Sequence, residues 1–217
     1  MSIHARCVRT ARAPCDPTLW GLDGTESLTF AMIKPDAVGV PYTRETVSVD
    51  EETGEEVPTT DVVAADKADA IKDRVIKDGF KIVRERRVRL SKAQAQAFYA
   101  EHAGREFFED LTDFMSSGPL IAMVLSKVDA VSSWRQLIGP TNSKIAQEEA
   151  VALNPLNDQA WSLRAAFGTD GRRNAVHGSD SAFSSAREIS FFFGDGLPLE
   201  RTCAVIMPQA VSAGKTD

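Results

Sequence analysis

The chain has 217 residues, 43% hydrophobic and 26% charged, proportions typical of a globular domain large enough to bury a core. No apolar run reaches the roughly 20 residues needed to span a bilayer as a helix, so no membrane partner is expected. A formal net charge of −6 disfavours nonspecific nucleic-acid binding through bulk charge, and no specific nucleic-acid partner is expected, although cations focused in one cleft can still hold a nucleotide. Cys7, Cys15 and Cys203 are widely spaced, give no zinc pattern, and suit a reducing, cytoplasmic setting.

Residues 1–26 are read as an N-terminal extension. Its first fifteen residues hold Arg6, Arg9 and Arg12 and no acid. That leaves a mitochondrial presequence or a basic tail open, and Pro14, Pro17 and the scarcity of serine favour the tail. The folded domain is expected over 27–200. Residues 27–33, SLTFAMI, predict a buried strand ended by Lys34-Pro35-Asp36. Residues 41–63 are an acidic insertion, either a short exposed hairpin turning at Gly54 or a disordered loop. Ala65, Ala68, Ile71, Val75 and Ile76 recur at helical spacing over 64–78, and Gly79 stops that helix.

FKIVRERRVRL, 80–90, reads as a strand with Ile82 and Val83 on opposite faces. Ser91 caps the helix KAQAQAFYAEH, and a short helix covers 105–115. PLIAMVLS, 119–126, is a central strand, and VDAVSSWRQLIG is a helix closed by Gly139. The second insertion, 143–161, contains the helix-prone KIAQEEAVAL, ended at Asn154-Pro155. A short strand at Ala175-Val176 and a helix from about Asp180 through AFSSAREISFFF complete the domain. The order predicts an α+β fold: a ferredoxin-like βαββαβ sandwich, with helices packed on one face of an antiparallel sheet. TCAVIMPQAV at 202–211 repeats TFAMIKPDAV at 29–38 in register, with Met207 in place of Lys34. Residues 201–217 therefore read as the first strand of a degenerate second copy, or as a tail.

The chemistry concentrates in NAVHGSDS, 174–181. His177 lies between a short apolar strand and a helix start, whose free N–H groups favour an anion. Gly178 permits a tight turn, and Ser179 adds a hydroxyl. Glu188, two helical turns beyond Asp180, can hold one ring nitrogen and fix the tautomer. Phosphoryl transfer needs cations for the phosphates, a base platform and an in-line nucleophile. Lys34, Arg135 with Thr141, and Arg164 supply candidate cations and a hydroxyl, and Phe107 or Phe108 offers a ring for a base. Each cation alone is better read as a solvated surface charge; only the set points to a site.

IKPDAV, EFF, SSGPLIAMV, RQLIGPTN, LRAAFG, NAVHGSDS and SAREISFFF occur in the order seen in nucleoside diphosphate kinases, and over 27–193 the chain resembles that family. The resemblance implies ping-pong transfer of a γ-phosphate from ATP or another nucleoside triphosphate to a diphosphate through a phosphohistidine on His177. It implies Ser179 and Glu188 as supports of that histidine. Lys34, Tyr99 and Asn174 would lie around the γ-phosphate and ribose, with Arg135, Thr141 and Arg164 as phosphate clamps. Phe107 would be the base platform with Leu111 beside it. Mg²⁺ would be held mainly by the phosphates and water, with no protein metal ligand.

Two departures stand out. Gly171 occupies the place of an apolar valine at the far side of the base slot. The insertion at 143–161 falls in a loop that builds subunit contacts in the family, so the homo-oligomer is in question, and the insertion at 41–63 could cover or crowd the site. The GPTN spacing and EIxFFF ending resemble the divergent members found in tandem in cilia and flagella. The alternative reading is therefore an axonemal assembly module that binds nucleotide with little or no turnover. A nucleotide-sensing regulator is a third reading.

Overall fold

The structure is a computed structural model, and it describes residues 26–49, 53–63 and 66–194. The N-terminal extension and the repeat at 201–217 lie outside the described residues. Strand β1 (Glu26–Ile33) leads through a 3-10 turn (Pro35–Ala37) to the hairpin β2 (Tyr42–Val49) and β3 (Glu56–Val63). There follow α1 (Ala68–Lys77), β4 (Lys81–Arg89), α2 (Lys92–Phe98), α3 (Phe108–Ser116) and β5 (Pro119–Val128). Then come α4 (Ala130–Ile138), α5 (Ser143–Leu153), α6 (Leu163–Phe167), β6 (Val176–Gly178) and α7 (Ala182–Phe193).

The main sheet has the order β4-β5-β1-β6, every neighbouring pair antiparallel. This is the ferredoxin-like order that the alternation of elements predicts. The helices, however, cover both faces of the sheet rather than one. Side chains alternate across a strand, and β1 is apolar on both sides. Ala31 and Ile33 pack with Ile71 and Val75 of α1 and with Trp134 and Ile138 of α4. Phe30 and Met32 pack with Phe98 of α2, Met115 of α3 and Phe192 of α7. Each fully buried large apolar side chain stabilises by about 1.5–3 kcal/mol, so neither face could be left to water.

Local rules set the ends. Ser91 accepts from the Gln94 N–H while Gln94 reaches back to the Ser91 N–H, a capping box on α2. Helix α1 begins at Ala68, and its buried stripe is Ala68, Ile71 and Val75, which leaves Ile76 exposed. A bulge between Ile82 and Arg84 interrupts β4. Ile82 packs on the first core, Val83 is exposed, and Val88 reaches the second core. Arg84 and Arg86 of this edge strand donate to the carbonyls of Phe193 and Phe192, satisfying the last turn of α7.

Of the two readings of the acidic insertion, the hairpin is observed, with Tyr42 paired to Val63 and Val49 to Glu56. An isolated two-stranded ribbon is marginal in water. Its base is tied to the domain by the bridge between Val38 and Asp66 and by the Lys67 N–H on Ala37 O at 2.9 Å. In the second insertion, Ala146 and Ala150 of α5 lie against Ala165 of α6, and Gln147 donates to Ala165 O and Gly168 O.

Candidate active site

A cavity of about 570 Å³ opens between β1, the α2–α3 corner, α4, α6 and the start of α7. His177 stands in its wall, because β6 pairs with β1 and brings His177 opposite Met32. Gly178 follows where a Cβ would lie 2.2 Å from Trp134 Nε1. No side chain fits there, and the indole N–H comes within 3.3 Å of the His177 carbonyl oxygen. The imidazole is bounded by Phe98, Phe30 and Tyr99, with centroids 5.6–6.1 Å away.

Glu188 supports the ring from behind. One oxygen, Oε1, lies 3.1 Å from His177 Nε2, and the other, Oε2, accepts the Ser179 hydroxyl at 2.6 Å. Arg187 Nη2 stands 3.5 Å from Oε1. With Nε2 facing a carboxylate, the neutral ring carries its proton there and leaves Nδ1 with a lone pair. No hydrogen bond to Nδ1 is found among the described residues.

The backbone leading to His177 is held in an uncommon shape. Ala175 has φ 64, a region costly for a residue with a Cβ, and the Val176 N–H donates back to Asn174 O at 2.7 Å, closing a γ-turn. Both polar groups of Ala175 are gripped by the turn after β1: its N–H donates to Asp36 Oδ2 at 3.0 Å, and its carbonyl accepts the Lys34 N–H at 2.8 Å. Burial raises the Asp36 carboxyl above its usual range, against the pull of Lys34.

Lys34, Asn174 and Thr141 form the next layer. Lys34 Nζ donates to Asn174 Oδ1 at 2.7 Å, and Asn174 Nδ2 donates to Thr141 O at 2.8 Å. Burial lowers the Lys34 ammonium to about 8. Arg164 is nearly as buried; its Nη1 donates to Gly139 O at 2.9 Å and its Nη2 to Val176 O at 3.2 Å. Its Nε has no partner, and burial, then the charge of Arg135, lowers it to about 10. No carboxylate pairs with it among the described residues, so its charge remains available to an anion. The Tyr99 hydroxyl is also buried without a partner, and burial, then the charge of Glu188, raises its pKa.

Every candidate from the sequence except Ser179 and Phe108 lines this cavity. Ser179 sits behind it, on Glu188, and Phe108 packs against the second core, which leaves Phe107 as the ring that faces the cavity. Phe107 and Leu111 form one side, and Gly171 lies across from open space, with nothing within 4 Å of where its Cβ would be. No described residue of 41–63 or 143–161 lines the cavity, so the described part of the 41–63 insertion does not crowd it, a question the sequence leaves open. Asp36, Arg172, Asp180 and Arg187 were not singled out. Asp36, Asp180 and Arg187 lie within IKPDAV, NAVHGSDS and SAREISFFF and are visible only as members of those motifs, while Arg172 carries no motif or spacing signal. Asp180 is held below the usual carboxylate range chiefly by the Ser184 hydroxyl. Among the described residues no group of three or more His, Cys, Asp or Glu could hold a metal ion, and no helix is long and apolar enough to cross a membrane.

Fold and site together define an α+β domain of ferredoxin-like topology built around a cation-lined histidine cleft. The nucleoside diphosphate kinase family model matches residues 57–196, and the chain belongs to that family. It is 37% identical over 202 residues to nucleoside diphosphate kinase homolog 7 of Rattus norvegicus, covering 89% of this chain and 42% of that protein. It is 46% identical over 164 residues to probable nucleoside diphosphate kinase 5 of Arabidopsis thaliana, covering 76% of this chain and 90% of that protein. With homolog 5 of Homo sapiens the coverage is 59% of this chain and 56% of the relative, at 45% identity. The chain thus spans about half the length of some relatives it matches. Among solved structures, the Aquifex aeolicus nucleoside diphosphate kinase aligns with TM-score 0.58 at 36% identity, covering 79% of this chain and 97% of that one. The Halobacterium salinarum enzyme in complex with CDP aligns with TM-score 0.56 at 27% identity, covering 87% and 97%.

Proposed function

We propose that the domain is an active nucleoside diphosphate kinase. His177 Nδ1 attacks the γ-phosphorus of a bound nucleoside triphosphate, the bond to the β-phosphate oxygen breaks, and the diphosphate leaves. A second diphosphate then attacks the phosphohistidine through its terminal oxygen and departs as a triphosphate. The observation that carries this reading is the Glu188 carboxylate on Nε2, which leaves Nδ1 as the nucleophile in a cavity lined by Lys34, Arg135 and Arg164. Such transfer depends on position and charge neutralisation, and these cations supply both. Thr141, Asn174 and Tyr99 complete the polar wall, and Phe107 with Leu111 takes the base.

Mg²⁺ carried by the nucleotide adds charge neutralisation at the phosphates. Asp180, which lines the cavity, would hold the water shell of that cation.

Incubation with ATP carrying a radioactive γ-phosphate should label the protein in an acid-labile, base-stable form, and His177→Ala should lose the label while still binding ADP. A nucleotide-bound protein that takes no label would overturn turnover. It would favour the second reading, the axonemal assembly module, which the surface added by the hairpin and α5 outside the cavity also favours.

A further inference from the structure

The slot for the base has one apolar side, and the opposite side is open at Gly171. Phe107 keeps 47% of its surface exposed and shares the cavity wall with Arg172. Resting on the nucleotide-binding reading above, we infer that Arg172 closes the slot, its guanidinium plane lying on the face of the base opposite the Phe107 ring.

Three observations converge. Arg172 Nη2 is 2.8 Å from Asp110 Oδ2, and Asp110 lies three residues beyond Phe107, the helically folded N-terminal cap of α3, so both lie on one side of that helix start. The ion pair therefore draws the guanidinium toward the ring. The backbone of Arg172 is fixed from two directions: its N–H donates to Asp170 Oδ1 at 2.7 Å, and its carbonyl accepts from Lys34 Nζ at 3.3 Å. Finally, its charge is answered by Asp110, whereas Arg164 bonds only neutral groups. Arg164 is thus the phosphate cation, and Arg172 presents a flat, weakly hydrated surface suited to stacking. Stacking on a cation grows with the π-face, so purine diphosphates gain more than pyrimidine diphosphates.

Calorimetric titration of the full chain with GDP, CDP and inorganic tripolyphosphate tests this. Arg172→Ala should weaken GDP by about five- to thirtyfold and CDP by less, with tripolyphosphate changed by no more than about twofold. Arg172→Lys should behave like alanine, because it keeps the charge and loses the plane. Gly171→Val, added to Arg172→Ala, should restore much of the GDP affinity by supplying an apolar wall where space is open. Equal losses for GDP and tripolyphosphate would make Arg172 a phosphate clamp and overturn the inference, as would unchanged GDP affinity or full function of the lysine variant. If Arg172→Ala does not fold, Arg172→Lys decides. A wild-type chain that binds tripolyphosphate but neither nucleotide would sink the nucleotide reading itself.

Discussion

Glu188 and His177 meet in a 3.1 Å contact between Oε1 and Nε2, eleven residues apart in sequence and across the junction of β6 and α7. The carboxylate sets which nitrogen of the ring carries the proton. Glu188→Gln can present an amide N–H to the ring and stabilise the other tautomer. Phosphoenzyme formation, followed by rapid quench with ATP, should slow by on the order of 10²-fold or more, as when a tautomer-setting carboxylate is lost. A rate within a factor of about two of wild type would remove Glu188 from this role.

Asp36 holds the strained turn in front of the histidine. Asp36→Ala leaves the buried Ala175 N–H without its acceptor, which should cost about 1–3 kcal/mol. Urea denaturation should show that loss together with slower phosphorylation. Unchanged stability would mean that water or a neighbour takes over the amide.

Lys34 gives a pH signature with two opposite signs. Its folded pKa is about 8 against 10.5 for the free group, so between these values the unfolded chain binds more protons. Its contribution to the stability of the unliganded protein should therefore rise as pH climbs from about 8 to 10.5. Over the same range the loss of its charge should weaken nucleotide binding. Lys34→Gln should flatten both trends, and a wild-type binding curve that stays level through alkaline pH would contradict the role given to this cation.

The alanine seam between α5 and α6 supports Arg164 from outside the cavity. Ala146→Leu overfills it, with an expected cost of about 1–3 kcal/mol. The displaced α6 should also lower ADP affinity, measured by ligand-induced thermal stabilisation. If ADP affinity is untouched while stability falls, the second insertion does not position the site.

Strands β1, β5 and β6 were legible as short apolar runs ended by Lys-Pro-Asp, Ser or Gly signals, whereas β4 is mostly charged and was marked by its bounds at Gly79 and Ser91; the capping box at Ser91 and Gln94 needs only local chemistry. The coverage of both sheet faces was missed although β1 carries it: the unbroken apolar run Phe30–Ile33 leaves no polar face for water, but the order of elements alone does not say which helices lie on which side. The hairpin stayed ambiguous because its anchorage depends on Val38 meeting Asp66, a pairing no composition reveals. Within the site, His177, Glu188 and the cations stood out through motifs. Asp36 did not, because its contact with Ala175 spans 139 residues. Arg172 did not either, because its placement follows from an ion pair with Asp110 on another element.

The acidic ribbon leaves the domain after Val38 and returns at Asp66, where the two meet in a backbone bridge, away from the cavity wall. A segment whose ends already touch can be swapped for a short linker or a reporter without reopening the scaffold. That makes this junction a natural graft point, where fluorescent or affinity modules can be installed outside the residues that line the cavity.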